Sequence, residues 1–135
     1  MTGRAAVRAI GLVPALLLAA GCASSGPQDG PRAAANFFEA SWARHDGAAV
    51  CRILAPQARA AVSRSARKPC AVGILDEDLP TSGPPGITRV WGRAAQVQVP
   101  GDTLFLSRFP SGWKVIAAGC TPLVGKPYGC QVQGG

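Results

Sequence analysis

The cysteines, the one histidine and the one tyrosine have the most chemistry to offer in this sequence. The chain of 135 residues places its five cysteines at Cys22, Cys51, Cys70, Cys120 and Cys130. A thiol can bridge, ligate a metal, act as a nucleophile or accept a covalent group. An odd count leaves one thiol outside any set of internal bridges. If that one is Cys22, the other four can form two disulfides in an oxidising compartment, with three connectivities open. The sequence-local pairs Cys51–Cys70 and Cys120–Cys130 are favoured. Each closes a short loop, worth about 3 kcal/mol in the chain-entropy account of cross-linking. A four-cysteine zinc site is the alternative. It is disfavoured because such sites use closely spaced pairs, and the gaps between these cysteines are much longer.

The context of Cys22 sets it apart. Arg4 and Arg8 give a basic start, Ile10 to Ala20 is uncharged and mostly apolar, and small residues follow. A membrane-spanning helix needs about 20 apolar residues, so this run is too short, and Pro14 interrupts it. The pattern is that of an export signal over residues 1–21. Ala19-Ala20-Gly21-Cys22 resembles the lipobox of bacterial lipoproteins, with Ala19 where the family usually has leucine. The resemblance implies cleavage after Gly21, a diacylglycerol thioether on Cys22 and a lipid-anchored protein on the outer face of the cytoplasmic membrane. Two acyl chains hold a protein stably at a bilayer where one does not. Residues 22–31 then read as a flexible tether, and residues 32–135 as one domain.

Proton-transfer chemistry would have to use His45 or Tyr128 with a nearby carboxylate. His45 and Asp46 are adjacent, so on a helix their side chains diverge. The plainer reading is a histidine at a helix C-terminus followed by a capping aspartate. Asp102 reads as the end of a turn, and Asp76-Glu77-Asp78 as a solvated corner with too few oxygen ligands for calcium. No Gly-x-Ser-x-Gly elbow is present. Gly119 to Lys126 departs from a phosphate-binding loop, with one residue too many between the glycines and Pro127 in place of Ser or Thr. No catalytic residue, metal ligand or cofactor is assigned. His45, Trp42, Trp91 and Tyr128 are the candidates to face a ligand.

The net charge is +7. Its densest cluster, Arg59, Arg64, Arg67 and Lys68, suits anionic lipid headgroups near a short tether. An ordinary solvated face is the competing reading. Export and the lack of interleaved aromatics argue against nucleic acid. Trp42, Trp91 and Trp113 fall on the apolar phase of their segments and read as core.

These residues must be held by helices first and strands second. Pro31 suits a first helical turn. Ala34, Phe37, Phe38, Ser41, Trp42 and His45 then share one face, with Glu39 and Arg44 outward and Gly47 as the stop. Asp46 can cap a second helix with Val50, Cys51 and Leu54 inward. A third runs from Gln57 to about Arg67 with Ala58, Ala61, Val62 and Ser65 inside, and a helical turn covers Cys70 to Leu75. After the loop Pro80 to Gly86 the period becomes two. Four antiparallel strands are expected, joined in part by a type II turn at Val99-Pro100-Gly101-Asp102 and a second turn at Phe109 to Gly112. A short fifth strand near Tyr128 to Val132 is an option. The expected class is α+β, helices on one face of a curved antiparallel sheet of about four strands, with two disulfides.

The segments AANFFEASWARHDGAAVCRIL and DTLFLSRFPSGWKVIAAGC resemble the helix and sheet motifs of the NTF2-like (cystatin-like) cone. The likeness is nearest to small secreted lipoproteins of high-GC Gram-positive bacteria. It implies a binding or accessory domain for a protein partner or a small apolar ligand. Alternatively it implies an isomerase- or dehydratase-type enzyme, or a structural envelope protein. The long first hairpin of full-size members is missing here, which implies a shallow or closed pocket.

Overall fold

The computed structural model describes residues 29–134, together with residues 2, 3, 11 and 26. The export signal, Cys22 and most of the tether lie outside the described residues.

Helix α1, Pro31–Ala43, opens with proline at its first turn, where the missing N–H costs nothing. Ala34, Ala35, Phe38, Glu39 and Ser41 are buried, and Phe37 and Trp42 pack partly against the core. The buried arc is therefore broader than the sequence spacing implied, and Glu39, expected outside, lies within it. The helix does not run to Gly47. His45 takes φ 54°, its N–H bonds the Trp42 carbonyl and the Asp46 N–H bonds the Ser41 carbonyl. That is the two-bond closure usually built with glycine. Asp46 then caps α2, Gly47–Ile53, accepting from the Ala49 N–H at 3.0 Å. A Cβ on Gly47 would fall 1.9 Å from the Ala71 carbonyl oxygen, so glycine here permits close contact with the short helix at Cys70–Gly73 rather than a helix stop.

Pro56 opens α3, Pro56–Ala66, with Ala58 and Val62 buried. Ser65, expected inside, is exposed. α4, Cys70–Gly73, and a 3-10 turn, Ile74–Asp76, complete the helical layer. The Cys51–Cys70 disulfide joins α2 to α4.

A segment without regular structure, residues 77–87, leads to the sheet. Its strands are β1 Thr88–Trp91, β2 Ala94–Val99, β3 Asp102–Phe109, β4 Gly112–Leu123 and β5 Lys126–Gln133. All neighbours are antiparallel, in spatial order β1-β2-β3-β4-β5. The strand number is thus five rather than four, because the optional last strand is full length. The turn at Pro100-Gly101 has Gly101 at φ 70°, as a type II turn requires. Between Phe105–Ala117 and Leu106–Val115 the register slips by one residue, a bulge that raises local twist and curvature.

The core lies between the helices and one sheet face. Ala95, Val97, Val99, Leu104, Leu106, Val115, Ala118 and Val132 meet Phe38, Val50, Ile53, Leu54, Val62 and Ile74. The Ala55 N–H bonds the Val115 carbonyl at 2.8 Å, tying the α2–α3 link directly to β4. Among the described residues no helix is long and apolar enough to cross a membrane.

Candidate functional site

The alternation that buries Leu104 and Leu106 turns Phe105 to the opposite face, and the same logic sends Gln96 outward between Ala95 and Val97. Gln96 pairs with Phe105, and Phe105 with Ala117. The helices leave this face open. Part of it is covered by the chain itself. The Tyr128 ring stands edge-on to Phe105, centroids 4.9 Å apart, and its hydroxyl accepts from Gln96 Nε2 at 3.2 Å. Tyr128 belongs to β5, two strands from β3 and three from β2. The outer part of the β4–β5 hairpin must therefore curl back across the open face.

Two features set that curl. Gly119 has φ +66°, a conformation that favours glycine. Beside it, the Asp102 carboxylate accepts from the N–H groups of Gly119 at 2.7 Å and Cys120 at 2.6 Å, and from its own neighbour Thr103 at 2.5 Å. Backbone pairing between β3 and β4 is registered only as far as Phe105–Ala117. One side chain then continues the connection that the ladder gives up. Cys120 and Cys130 face each other across β4 and β5 and are disulfide-bonded. With both disulfides formed, the zinc alternative falls. The Gly119–Lys126 run that was compared with a phosphate loop is the end of this hairpin, turning at Val124-Gly125.

Beneath the curled hairpin lies a groove of about 410 Å³ lined by Phe105, Ile116, Ala117, Pro127, Tyr128 and Gly134. Its exposed lining is mostly apolar. Phe105, Gln96 and Asp102 did not stand out in the sequence as site residues. The available signal was that Phe105 is out of phase with its buried neighbours Leu104 and Leu106.

A second cluster sits where residues 77–87 cross α1. Trp42 Nε1 donates to the Pro80 carbonyl at 3.1 Å, Glu39 accepts from the Gly83 N–H at 2.9 Å, and Arg32 donates to the Gly86 carbonyl. Positions 32, 39 and 42 lie along one side of α1, so the crossing segment is pinned at three points. Burial pushes the Glu39 carboxyl up to about 7. The Gly83 N–H opposes that rise, and the negative charge of Asp102 adds to it. A shallow notch borders Glu39, lined also by Asn36, Ala43, Ser82 and Pro84.

The sequence-derived candidates do not converge. His45 is exposed beyond α1, its ring 6.2 Å from that of Trp42. Trp42 is half-buried under Pro80. Trp113 is buried, but Trp91, expected in the core, is 57 % exposed. It lies on the edge strand β1, paired with Ala94 in the phase of Arg89 and Gln96, which is the sheet face turned away from the helices. Tyr128 alone lines the groove. Arg59, Arg64, Arg67 and Lys68 are all exposed, and Lys68 is ion-paired with Asp76 at 2.7 Å. Asp76 and Asp78 are exposed, as a solvated corner requires, and Asp76 pairs there with Lys68.

No known family, curated protein or solved structure matches this chain.

Proposed function

We propose that this chain is a lipid-anchored, extracytoplasmic binding module built as a compact relative of the NTF2-like cone. Its ligand surface is the aromatic groove on the open sheet face. The observation that carries the reading is the groove itself. Phe105 and Tyr128 form an apolar cleft outside the core, while buried side chains from both layers meet between helices and sheet. A volume of about 410 Å³ lies within the roughly 300–1,000 Å³ usual for small-molecule sites. The ligand class is a small, largely apolar molecule, with the Tyr128 hydroxyl and Gln96 at the rim to orient one polar end. An enzymatic reading would need His45 or Tyr128 directed into an enclosed polar cavity, and neither is so placed. The helix-first, meander-second order supports the NTF2-like likeness, and the short β1–β2 hairpin suits a member without a deep cone. The export pattern and the thiol at Cys22 support the anchor, and two disulfides suit an oxidising compartment.

Two measurements test this. Titration with an anilinonaphthalene sulfonate probe should give saturable fluorescence. Tyr128→Ala, which removes the groove's aromatic wall, should weaken binding by about tenfold, the scale of an aromatic contact. Equal binding by wild type and variant would remove the groove from the function. Separately, intact mass of native protein should show the Cys22 lipid adduct, and Cys22→Ser should abolish it. A native chain starting at Met1 with a bare thiol would remove the anchor.

A further inference from the structure

The end of the domain from which the chain leaves toward Cys22 carries its own surface chemistry. Asp29 shares a concavity of roughly 700 Å³ with Arg93, Arg108, Phe109, Ser111 and Trp113. These residues belong to the tips of the β1–β2 and β3–β4 hairpins. The two tips are bonded together: the Arg108 N–H donates to the Arg93 carbonyl at 2.8 Å, and the Arg93 guanidinium donates to the Arg108 carbonyl at 2.8 Å. Trp91, at the first tip, is 57 % exposed. Arg89, on the same strand, is exposed as well. From Ile87 to Lys126 the chain has a single acidic residue, Asp102, and it lies at the other end of the sheet. Asp29 is the one carboxylate in the concavity, and its side chain accepts from the Gly26 N–H at 2.5 Å.

We infer that these two hairpin tips form a docking surface for the anionic bilayer to which the chain is tethered. Trp91 is the interfacial anchor, and Arg89, Arg93 and Arg108 are the headgroup contacts. The inference rests on the lipid anchor proposed above. Its geometric basis is reach: the seven residues from Cys22 to Asp29 span at most about 25 Å when extended. The surface around Asp29 is therefore held near the headgroups. An exposed indole beside arginines is the composition that partitions at a membrane–water interface. Each base near an anionic leaflet adds to the electrostatic attraction. The Arg64 end of the denser basic cluster is less well placed. β4 runs about 25 Å from Gly112 at the docking tip to Cys120 at the far end. Ser65, between Arg64 and Arg67, lines a cleft with Cys130, the partner of Cys120. The groove under Tyr128 stays open to solvent when the tips face the membrane.

The test separates docking from anchoring. Cys22 is the one cysteine outside the two disulfides, so the full chain can be coupled through it to a maleimide lipid in vesicles. The tether is then supplied whether or not cells add one. In phosphatidylglycerol vesicles with brominated acyl chains, tryptophan emission should fall by about a third, the share of one indole among three. Trp91→Phe should abolish that quenching. Arg108→Glu should at least halve it, and Arg64→Glu should leave it unchanged. Trp91→Phe replaces an exposed ring, so the fold survives the substitution. Unquenched emission, quenching that persists in Trp91→Phe, or equal quenching in zwitterionic vesicles would each overturn the docking surface. Absence of a native lipid adduct on Cys22 would instead overturn the anchor.

Discussion

Glu39 shows how one residue can defeat a spacing argument. Its neighbours Phe38 and Ala40 made an outward position plausible, since a charged side chain normally marks the solvent face of a helix. The segment 77–87 changes that by crossing α1 and placing the Gly83 N–H within 2.9 Å of the carboxyl. Nothing local to α1 encodes a contact to a residue 44 positions away. The consequence is a pH dependence. The folded carboxyl holds its proton up to about pH 7, against an ordinary value of 4.5. Through that window the native state binds more protons than the unfolded one, so stability falls as pH rises. Glu39→Gln keeps an oxygen for the Gly83 N–H and removes the charge. Its unfolding free energy should match wild type near pH 4.5 and exceed it at pH 8, by an amount on the order of 2 kcal/mol, below the full value of the shift because the notch admits solvent. Urea titrations at the two pH values measure this, and a constant difference between variant and wild type would contradict it.

At the level of elements, periodicity identified which residues share a face but not whether the face is covered. That is why β2, β3 and β4 were legible. Their alternation of apolar and polar residues matches a sheet covered on one side. It is also why Trp91 defeats the reading: β1 pairs Arg89 with Gln96 and Trp91 with Ala94, so the indole shares the sheet face that the helices leave open. The last strand, KPYGCQVQ, has a proline, a glycine and little alternation, and its pairing is imposed by β4 and the Cys120–Cys130 bond. Both disulfide pairs are legible because each joins cysteines near in sequence, and short loops bring their ends together at low entropic cost. The groove was not legible, since it depends on the curl of the β4–β5 hairpin. Asp102 is the element-level control of that curl. Asp102→Ala would leave the Gly119 and Cys120 N–H groups without their acceptor in a part-buried position. The expected loss is about 2–3 kcal/mol, with Asp102→Asn intermediate because one acceptor oxygen remains. The same change should reduce dye binding in the groove more than Gly92→Ala, which alters a distant turn. Equal effects would show that Asp102 ends a turn and does no more.

At the scale of the whole molecule, the described residues form a hydrophobic core, a helical layer on one sheet face, and a second sheet face only partly covered by its own last hairpin. A domain of this size is stabilised by about 5–15 kcal/mol in total. Its two cross-links close loops of 19 and 10 residues. Each contributes about 3 kcal/mol in the chain-entropy account, so together they amount to a large fraction of the net stability. The first ties α2 to α4 inside the helical layer, and the second holds the hairpin that shapes the groove. Their effects should therefore separate. Replacing Cys51 and Cys70 by serine should lower the urea midpoint while leaving dye binding by the folded fraction near the wild-type value. Replacing Cys120 and Cys130 should lower the midpoint and weaken dye binding as well, because Tyr128 loses the bridge that fixes its strand. Full reduction should lower stability by about the sum of the two losses, since the bridges lie in different layers and share no partner. A fully reduced chain with an unchanged midpoint would mean that the core alone maintains the fold, and the link between folding and an oxidising compartment would be lost.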